Sequence, residues 1–151
     1  MSERIYYFAY GSNMNPQRML DRGVLFEERV AAKLPGYELQ FNKQWTLKPE
    51  AGVANINPKE SGMVEGILYT LYDISLDKLD EFEINYDRIS ITVVLANDNK
   101  QEAIAYKARQ HVIQEGLKPT REYLGHVLKG EDLLSQEYVK KLASTPLFDE
   151  T

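Results

Sequence analysis

Short β-prone segments separated by short turns fill the chain up to residue 106, and they constrain its fold more than any other feature. Each is rich in aromatic and β-branched residues or alternates polar with apolar residues. Pro35 and Gly36 separate two of the segments, which predicts a hairpin turn at that point. Because short connections can join only antiparallel strands, the segments predict a mostly antiparallel sheet. The predicted strands cover residues 5–10, 24–34, 37–41, 52–57, 63–71, 88–95 and 102–106.

Helix signals lie between and after these strands. Asn15 followed by Pro16 combines a capping side chain with a proline at the first helical position. The predicted helices follow Asn15, run from Ser75 to about Glu83, lie between Pro119 and Gly130, and follow Ser135. About seven strands and four helices in 151 residues predict one α+β domain over residues 1–151. Its sheet should be curled or closed, with the helices packed outside it.

Composition limits the chemistry that this domain can perform. Cysteine is absent, and the two histidines are His111 and His126, which we expect to be structural. The sequence therefore predicts neither a metal nor a cofactor. Lys and Arg number 18 against 23 Asp and Glu, and this net charge of -5 excludes a basic nucleic-acid surface. The apolar run at residues 5–10 is far shorter than the ~20 residues that cross a bilayer. We expect a cytoplasmic protein with no membrane partner and, by default, a monomer.

The segment from Tyr10 to Pro16 is the first that could carry chemistry. It breaks a strand at Gly11 and enters a helix, and the amides of Gly11, Ser12 and Asn13 could form a concavity of positive partial charge. Such a concavity binds a carboxylate or a phosphate without a basic side chain. The spacing matches neither a P-loop nor a dinucleotide fingerprint, and the Gly-x-Ser-x-Gly elbow of serine nucleophiles is absent. A plain strand-to-helix junction is the alternative.

The second segment is the acidic helix over residues 75–83. At about 100° per residue, Glu83 projects toward its apolar face, and a carboxyl group held against that face and Tyr86 would have a raised pKa. A general acid or base that works near neutral pH needs such a pKa. A salt bridge between Glu83 and Arg88 is the alternative. The apolar face is formed by Leu76, Leu79 and Phe82.

These two segments, in this order, resemble the γ-glutamylcyclotransferase-like family, which includes the avirulence-induced proteins of plants and the γ-glutamylamine cyclotransferases. The resemblance covers nearly the whole chain. The matching residues are 7–14 (Tyr-Phe-Ala-Tyr-Gly-Ser-Asn-Met), 52–56, 64–69, 79–83 (Leu-Asp-Glu-Phe-Glu), 119–123 and 137–138. It implies a small closed, mostly antiparallel β-barrel of about six or seven strands with helices outside. The partner it implies is a small γ-glutamyl compound.

The resemblance also implies a reaction that needs no protein nucleophile. The substrate's own α-amine attacks its γ-carbonyl, and 5-oxoproline and a free amine are released. Glu83 is then the catalytic acid and base, Tyr10, Gly11, Ser12 and Asn13 hold the γ-glutamyl head group, and Tyr86 lines the site. The polar segment over residues 42–51 is predicted to be an exposed loop that could cover the leaving amine. A catalytically silent module that binds an acidic metabolite or a protein tail in the same pocket is the alternative function.

Overall fold

A computed structural model describes residues 3–149, so the outermost residues of the predicted 1–151 domain lie outside it. Within the described part, five strands form one closed barrel in the order β1-β3-β2-β4-β5. Neighbouring strands are antiparallel except for β1 and β5, which are parallel. The strands are β1 (Arg4–Ala9), β2 (Glu28–Trp45), β3 (Lys48–Tyr72), β4 (Tyr86–Leu95) and β5 (Lys100–Ala108). The α+β class and the closed, mostly antiparallel sheet are confirmed.

The strand count is lower than the predicted six or seven because β2 and β3 are long and pair along their whole length. The hairpin predicted at Pro35 and Gly36 is wrong. Pro35 pairs with Met63 and Tyr37 pairs with Pro58, so that residues 59–62 of β3 lie opposite Gly36 alone. Gly36 has a φ of +83°, and this irregularity bends β2 without reversing it.

The segment over residues 42–51 is also not a loop. It forms the end of the β2–β3 hairpin, with Trp45 paired to Lys48 across a turn at Thr46 and Leu47. Strand pairing satisfies the backbone hydrogen-bonding groups of this polar segment. The polar composition alone did not predict that the segment pairs as a strand. The hairpin end still borders the cavity described below.

Four α-helices lie in the described part of the chain: α1 (Pro16–Asp21), α2 (Asp73–Asp80), α3 (Arg121–Leu128) and α4 (Gln136–Ala143). The Asn15 side chain caps α1 by accepting a hydrogen bond from the Gln17 amide, and Ser135 caps α4 in the same way through the Tyr138 amide. The predicted start of α2 at Ser75 is wrong, since the helix begins at Asp73. None of the helices within residues 3–149 is long and apolar enough to cross a membrane.

The end of α2 also differs from the prediction, and the difference concerns the site. The helix ends at Asp80, and Glu83 lies in the turn that leads to β4. The Glu83 amide donates to the Asp80 carbonyl at 3.2 Å. Leu76 and Leu79 are fully buried as predicted, whereas Phe82 is 41% exposed. The turn, rather than a helical face, therefore sets the direction of the Glu83 side chain.

Two hydrophobic clusters meet along β1. Tyr7 and Ala9 belong to one cluster with residues of α2, α3 and α4, whereas Phe8 and Tyr10 belong to a second that joins β2, β3, β4 and β5. Alternate side chains of a strand point to opposite faces, so β1 is packed on both sides. The loop that follows β1 is thus anchored between the barrel and the helices.

Candidate active site

A cavity of about 300 Å³ opens where the loop after β1, the end of the β2–β3 hairpin and the turn after α2 converge. Separate parts of the sequence supply its walls, and all the residues predicted for the site lie on them. These are Tyr10, Gly11, Ser12, Asn13, Glu83 and Tyr86. The structure therefore brings both candidate segments together at one cavity.

The loop after β1 packs closely against the rest of the site. Residues 12–14 form a single 3₁₀ turn, in which the Met14 amide donates to the Gly11 carbonyl at 3.0 Å. A Cβ atom on Gly11 would lie 2.9 Å from the Cβ of Ala54 and 3.1 Å from the hydroxyl oxygen of Tyr123. Such a contact is too close for any side chain, so glycine lets the loop backbone lie directly on β3 and α3.

Asn13 is the centre of the hydrogen bonds in this loop. Its buried side chain donates through Nδ2 to the Tyr7 hydroxyl at 2.9 Å and to Oε1 of Glu83 at 2.6 Å. Its Oδ1 accepts from a guanidinium nitrogen of Arg22 at 3.0 Å, and its backbone carbonyl accepts from the Tyr69 hydroxyl at 2.6 Å. The side chain is therefore fixed between a tyrosine, a carboxylate and an arginine. From the sequence we predicted a role only for the backbone amide of Asn13 and none for its side chain.

Glu83 is a partly buried carboxyl group on the cavity wall. Burial raises its pKa above the ordinary value, although Arg22, the hydrogen bond from Asn13 and Lys43 act in the opposite direction. Arg88 is not its partner: the guanidinium of Arg88 binds Asp80 at 2.7 Å and Asp77 at 3.0 Å instead. A raised pKa brings the carboxyl group closer to the range in which a side chain can both take up and release a proton at neutral pH.

Tyrosines form much of the remaining wall. The Tyr86 hydroxyl donates to the Ala54 carbonyl at 2.6 Å, and the Tyr10 hydroxyl donates to the Tyr106 carbonyl. Burial raises the pKa of Tyr10 and Tyr86 well above the ordinary value, so both remain neutral. Because both hydroxyl protons are donated within the protein, these two tyrosines can offer a substrate only a hydroxyl oxygen as acceptor and an apolar ring face.

Three cationic side chains on the wall were missed by the sequence analysis: Arg18, Arg22 and Lys43. Arg18 and Arg22 are separated by four residues at α1, directly after the loop, and this spacing places both on one face of a helix. Lys43 lies near the end of β2 and is only 3% exposed, so it is a charged side chain at a buried position of the strand. The helical spacing was visible in the sequence, but the direction in which α1 presents that face was not.

His126 also lines the cavity. Its Nδ1 lies 3.0 Å from Nδ2 of Asn15, and burial together with Arg18 lowers the pKa of the imidazole. Within residues 3–149, no group of three or more His, Cys, Asp or Glu side chains could hold a metal ion. The lowered pKa favours the neutral form of the imidazole.

The model of one protein family matches residues 7–125, which include both segments of the site. That family is described as gamma-glutamyl cyclotransferase, AIG2-like. The chain belongs to this family. The family resemblance seen in the sequence is thereby confirmed. The matched region ends within α3, so it includes the loop after β1 and the turn after α2.

Individual relatives agree with this membership. The chain is 26% identical over 148 residues to gamma-glutamylcyclotransferase of Bos taurus, a match that covers 94% of this chain and 79% of the bovine protein. It is 30% identical over 146 residues to YkqA of Bacillus subtilis, and this match covers 91% of the chain but only 50% of YkqA. A solved structure described as gamma-glutamyl cyclotransferase superposes with a TM-score of 0.84 at 26% identity, covering 99% of this chain and 92% of that one.

Proposed function

We propose that the protein is a cyclotransferase that cleaves a small γ-glutamyl amide or peptide and releases 5-oxoproline and a free amine. The observation that carries this proposal is the placement of Glu83, a partly buried carboxyl group with a raised pKa on the wall of the cavity. Family membership supports the substrate class. The bovine relative, which carries the same activity in its name, supports it as well.

The reaction needs one group that moves a proton twice. The Glu83 carboxylate takes a proton from the α-ammonium group of the substrate, and the freed nitrogen attacks the γ-carbonyl carbon to close a five-membered ring. The bond between that carbon and the leaving nitrogen then breaks. Glu83 returns its proton to the leaving nitrogen, so the carboxylate is regenerated, and the second proton that the ring nitrogen loses leaves with the released amine as its ammonium ion. Because the nucleophile and the electrophile belong to one molecule, the enzyme gains most by holding the substrate in its folded conformation.

The loop after β1 would hold the γ-glutamyl head group. Gly11, Ser12 and Asn13 line the cavity, and their amides would donate to a carboxylate or to the oxyanion that develops on the γ-carbonyl. Tyr10 and Tyr86 would limit the movement of the glutamyl chain through their ring faces. In this proposal Asn13 acts twice, through its amide on the substrate and through its side chain on Glu83.

The test is the formation of 5-oxoproline from a panel of γ-glutamyl dipeptides, glutathione and γ-glutamyl amines. We expect turnover of at least one of them by the wild-type protein and loss of that turnover in Glu83→Gln. Glu27→Gln is the matched control, since the Glu27 side chain is 40% exposed, pairs with Arg4 at the surface and does not line the cavity. No product from any substrate, or full activity in Glu83→Gln, would contradict the proposal. Binding without turnover would favour a silent binding module.

A further inference from the structure

Arg18 is the one cation of the cavity wall that has no hydrogen bond or ion pair to any residue between 3 and 149. Its side chain is partly buried, and its Nε atom is buried without a partner. This position is costly for the side chain, because its Nε donor has lost water and gained no acceptor. Burial and the like charge of Arg22 both lower the pKa of Arg18.

The two other cations of the wall already have partners. Arg22 donates to Oδ1 of Asn13, and its guanidinium lies 5.0 Å from the centre of the Phe82 ring. Lys43 donates to the Gln44 carbonyl at 3.3 Å and lies over the Tyr86 ring. These contacts use both side chains to build the site. Among these three cations, only Arg18 has no donor engaged by another residue in the described part of the chain.

Nearby acids do not neutralise Arg18. Glu83 and Glu122 attract it electrostatically, but neither lies within the distance of an ion pair. Glu83 is held by Asn13, and Glu122 is an exposed side chain in the first turn of α3. A planar guanidinium with free donors beside a cavity is suited to a carboxylate, which it can bind through two parallel hydrogen bonds.

We propose that Arg18 binds a carboxylate group of the γ-glutamyl substrate. This inference rests on the proposed function, because the ligand of the cavity is taken to be a γ-glutamyl compound. Such a substrate has an α-carboxylate on its glutamyl part, and a dipeptide has a second one on its leaving amino acid. Both are the same chemical group, and the experiment distinguishes them.

The test uses two substrates that differ only by one carboxylate, γ-glutamyl-alanine and γ-glutamyl-ethylamine. We expect Arg18→Gln to lower kcat/KM for γ-glutamyl-alanine roughly 10- to 100-fold, mainly through KM, since a charged hydrogen bond is lost. If Arg18 binds the leaving amino acid, γ-glutamyl-ethylamine loses less than about threefold. If it binds the α-carboxylate, both substrates lose equally. Changes below about threefold for both would overturn the proposal.

Two further variants separate binding from folding and from net charge. Arg18→Lys keeps the charge and should recover part of the loss, whereas Lys141→Gln removes an exposed cation of α4 and should leave both substrates unchanged. Thermal unfolding confirms that each variant is folded. If the wild-type protein forms no 5-oxoproline, the proposed function fails, and calorimetric binding of γ-glutamyl-alanine then decides on Arg18. Weaker binding to Arg18→Gln supports the subsite, whereas equal binding, or none to the wild type, overturns it.

Discussion

Replacing Asn13 with alanine tests how the site controls its carboxylate. The substitution removes the hydrogen bonds of the Asn13 side chain to Tyr7, Glu83 and Arg22. Glu83 stays in its partly buried position but loses the donor that lies 2.6 Å from Oε1. Because that hydrogen bond favours the ionised form, its removal raises the pKa of Glu83 further. Less of the enzyme then carries the base at neutral pH.

The magnitude follows from the kind of bond that is lost. A hydrogen bond to a charged group contributes about 1.5–3 kcal/mol, and each 1.36 kcal/mol corresponds to a factor of ten in rate. We therefore expect kcat/KM to fall by up to roughly 10- to 100-fold in Asn13→Ala on the acidic limb of the pH profile, where Glu83 is mostly protonated in both proteins. The loss should shrink as the pH rises, because Glu83 becomes ionised without help. The acidic limb of the profile should move to higher pH.

The assay is the pH profile of kcat/KM for 5-oxoproline formation, measured on wild type, Asn13→Ala and a control. Asn57→Ala is a suitable control, since Asn57 donates to the Gln40 side chain at 3.0 Å and does not line the cavity. Circular dichroism establishes that each variant is folded at the assay temperature. A loss in Asn13→Ala that is the same at every pH would refute the reasoning, because the side chain would then not act through the ionisation of Glu83.

Three further predictions concern the same wall. Arg22→Gln removes the strongest cationic influence on Glu83, so the acidic limb of kcat/KM should move to higher pH; an unmoved limb would contradict this. Glu83→Gln should be more stable than wild type in urea unfolding at pH 7. The reason is that burial disfavours the ionised Glu83 carboxylate in the folded protein, and glutamine carries no charge. That gain should vanish as the pH falls through the folded pKa, and a loss of stability at pH 7 would count against burial as the cause. Tyr86→Phe removes the donor to the Ala54 carbonyl and should lower the unfolding free energy by about 1 kcal/mol; an unchanged urea midpoint would show that the bond contributes nothing.

Local signals in the sequence predicted the parts of the fold that depend on neighbouring residues. The caps at Asn15 and Ser135 are examples, since each involves groups within a few positions of one another. Pro35 and Gly36 carry the same signal as a hairpin turn but form an irregularity in β2. Their partners lie more than twenty residues away in β3, and no local pattern identifies such a partner.

The candidate site also has parts that local sequence predicts and parts that depend on contacts between distant residues. The two segments that hold Glu83 and the loop after β1 were visible as motifs, and the structure brings both to one cavity. The contact between the Asn13 side chain and Glu83 joins residues 70 positions apart, so it depends on how the turn after α2 packs against the loop. Arg18 and Lys43 were missed for a related reason, because neighbouring elements decide which side of α1 and β2 borders the cavity.

The identity of the nucleophile is the central claim, and turnover in water enriched in ¹⁸O tests it most directly. Attack by the substrate's own α-amine yields 5-oxoproline without ¹⁸O, together with one equivalent of free amine. A substrate whose α-amine is acetylated should not react at all. Mass spectrometry of the acidic product distinguishes the possible outcomes. Unlabelled 5-oxoproline is the expected product, whereas glutamate that carries one ¹⁸O would show that water is the nucleophile and would contradict the account.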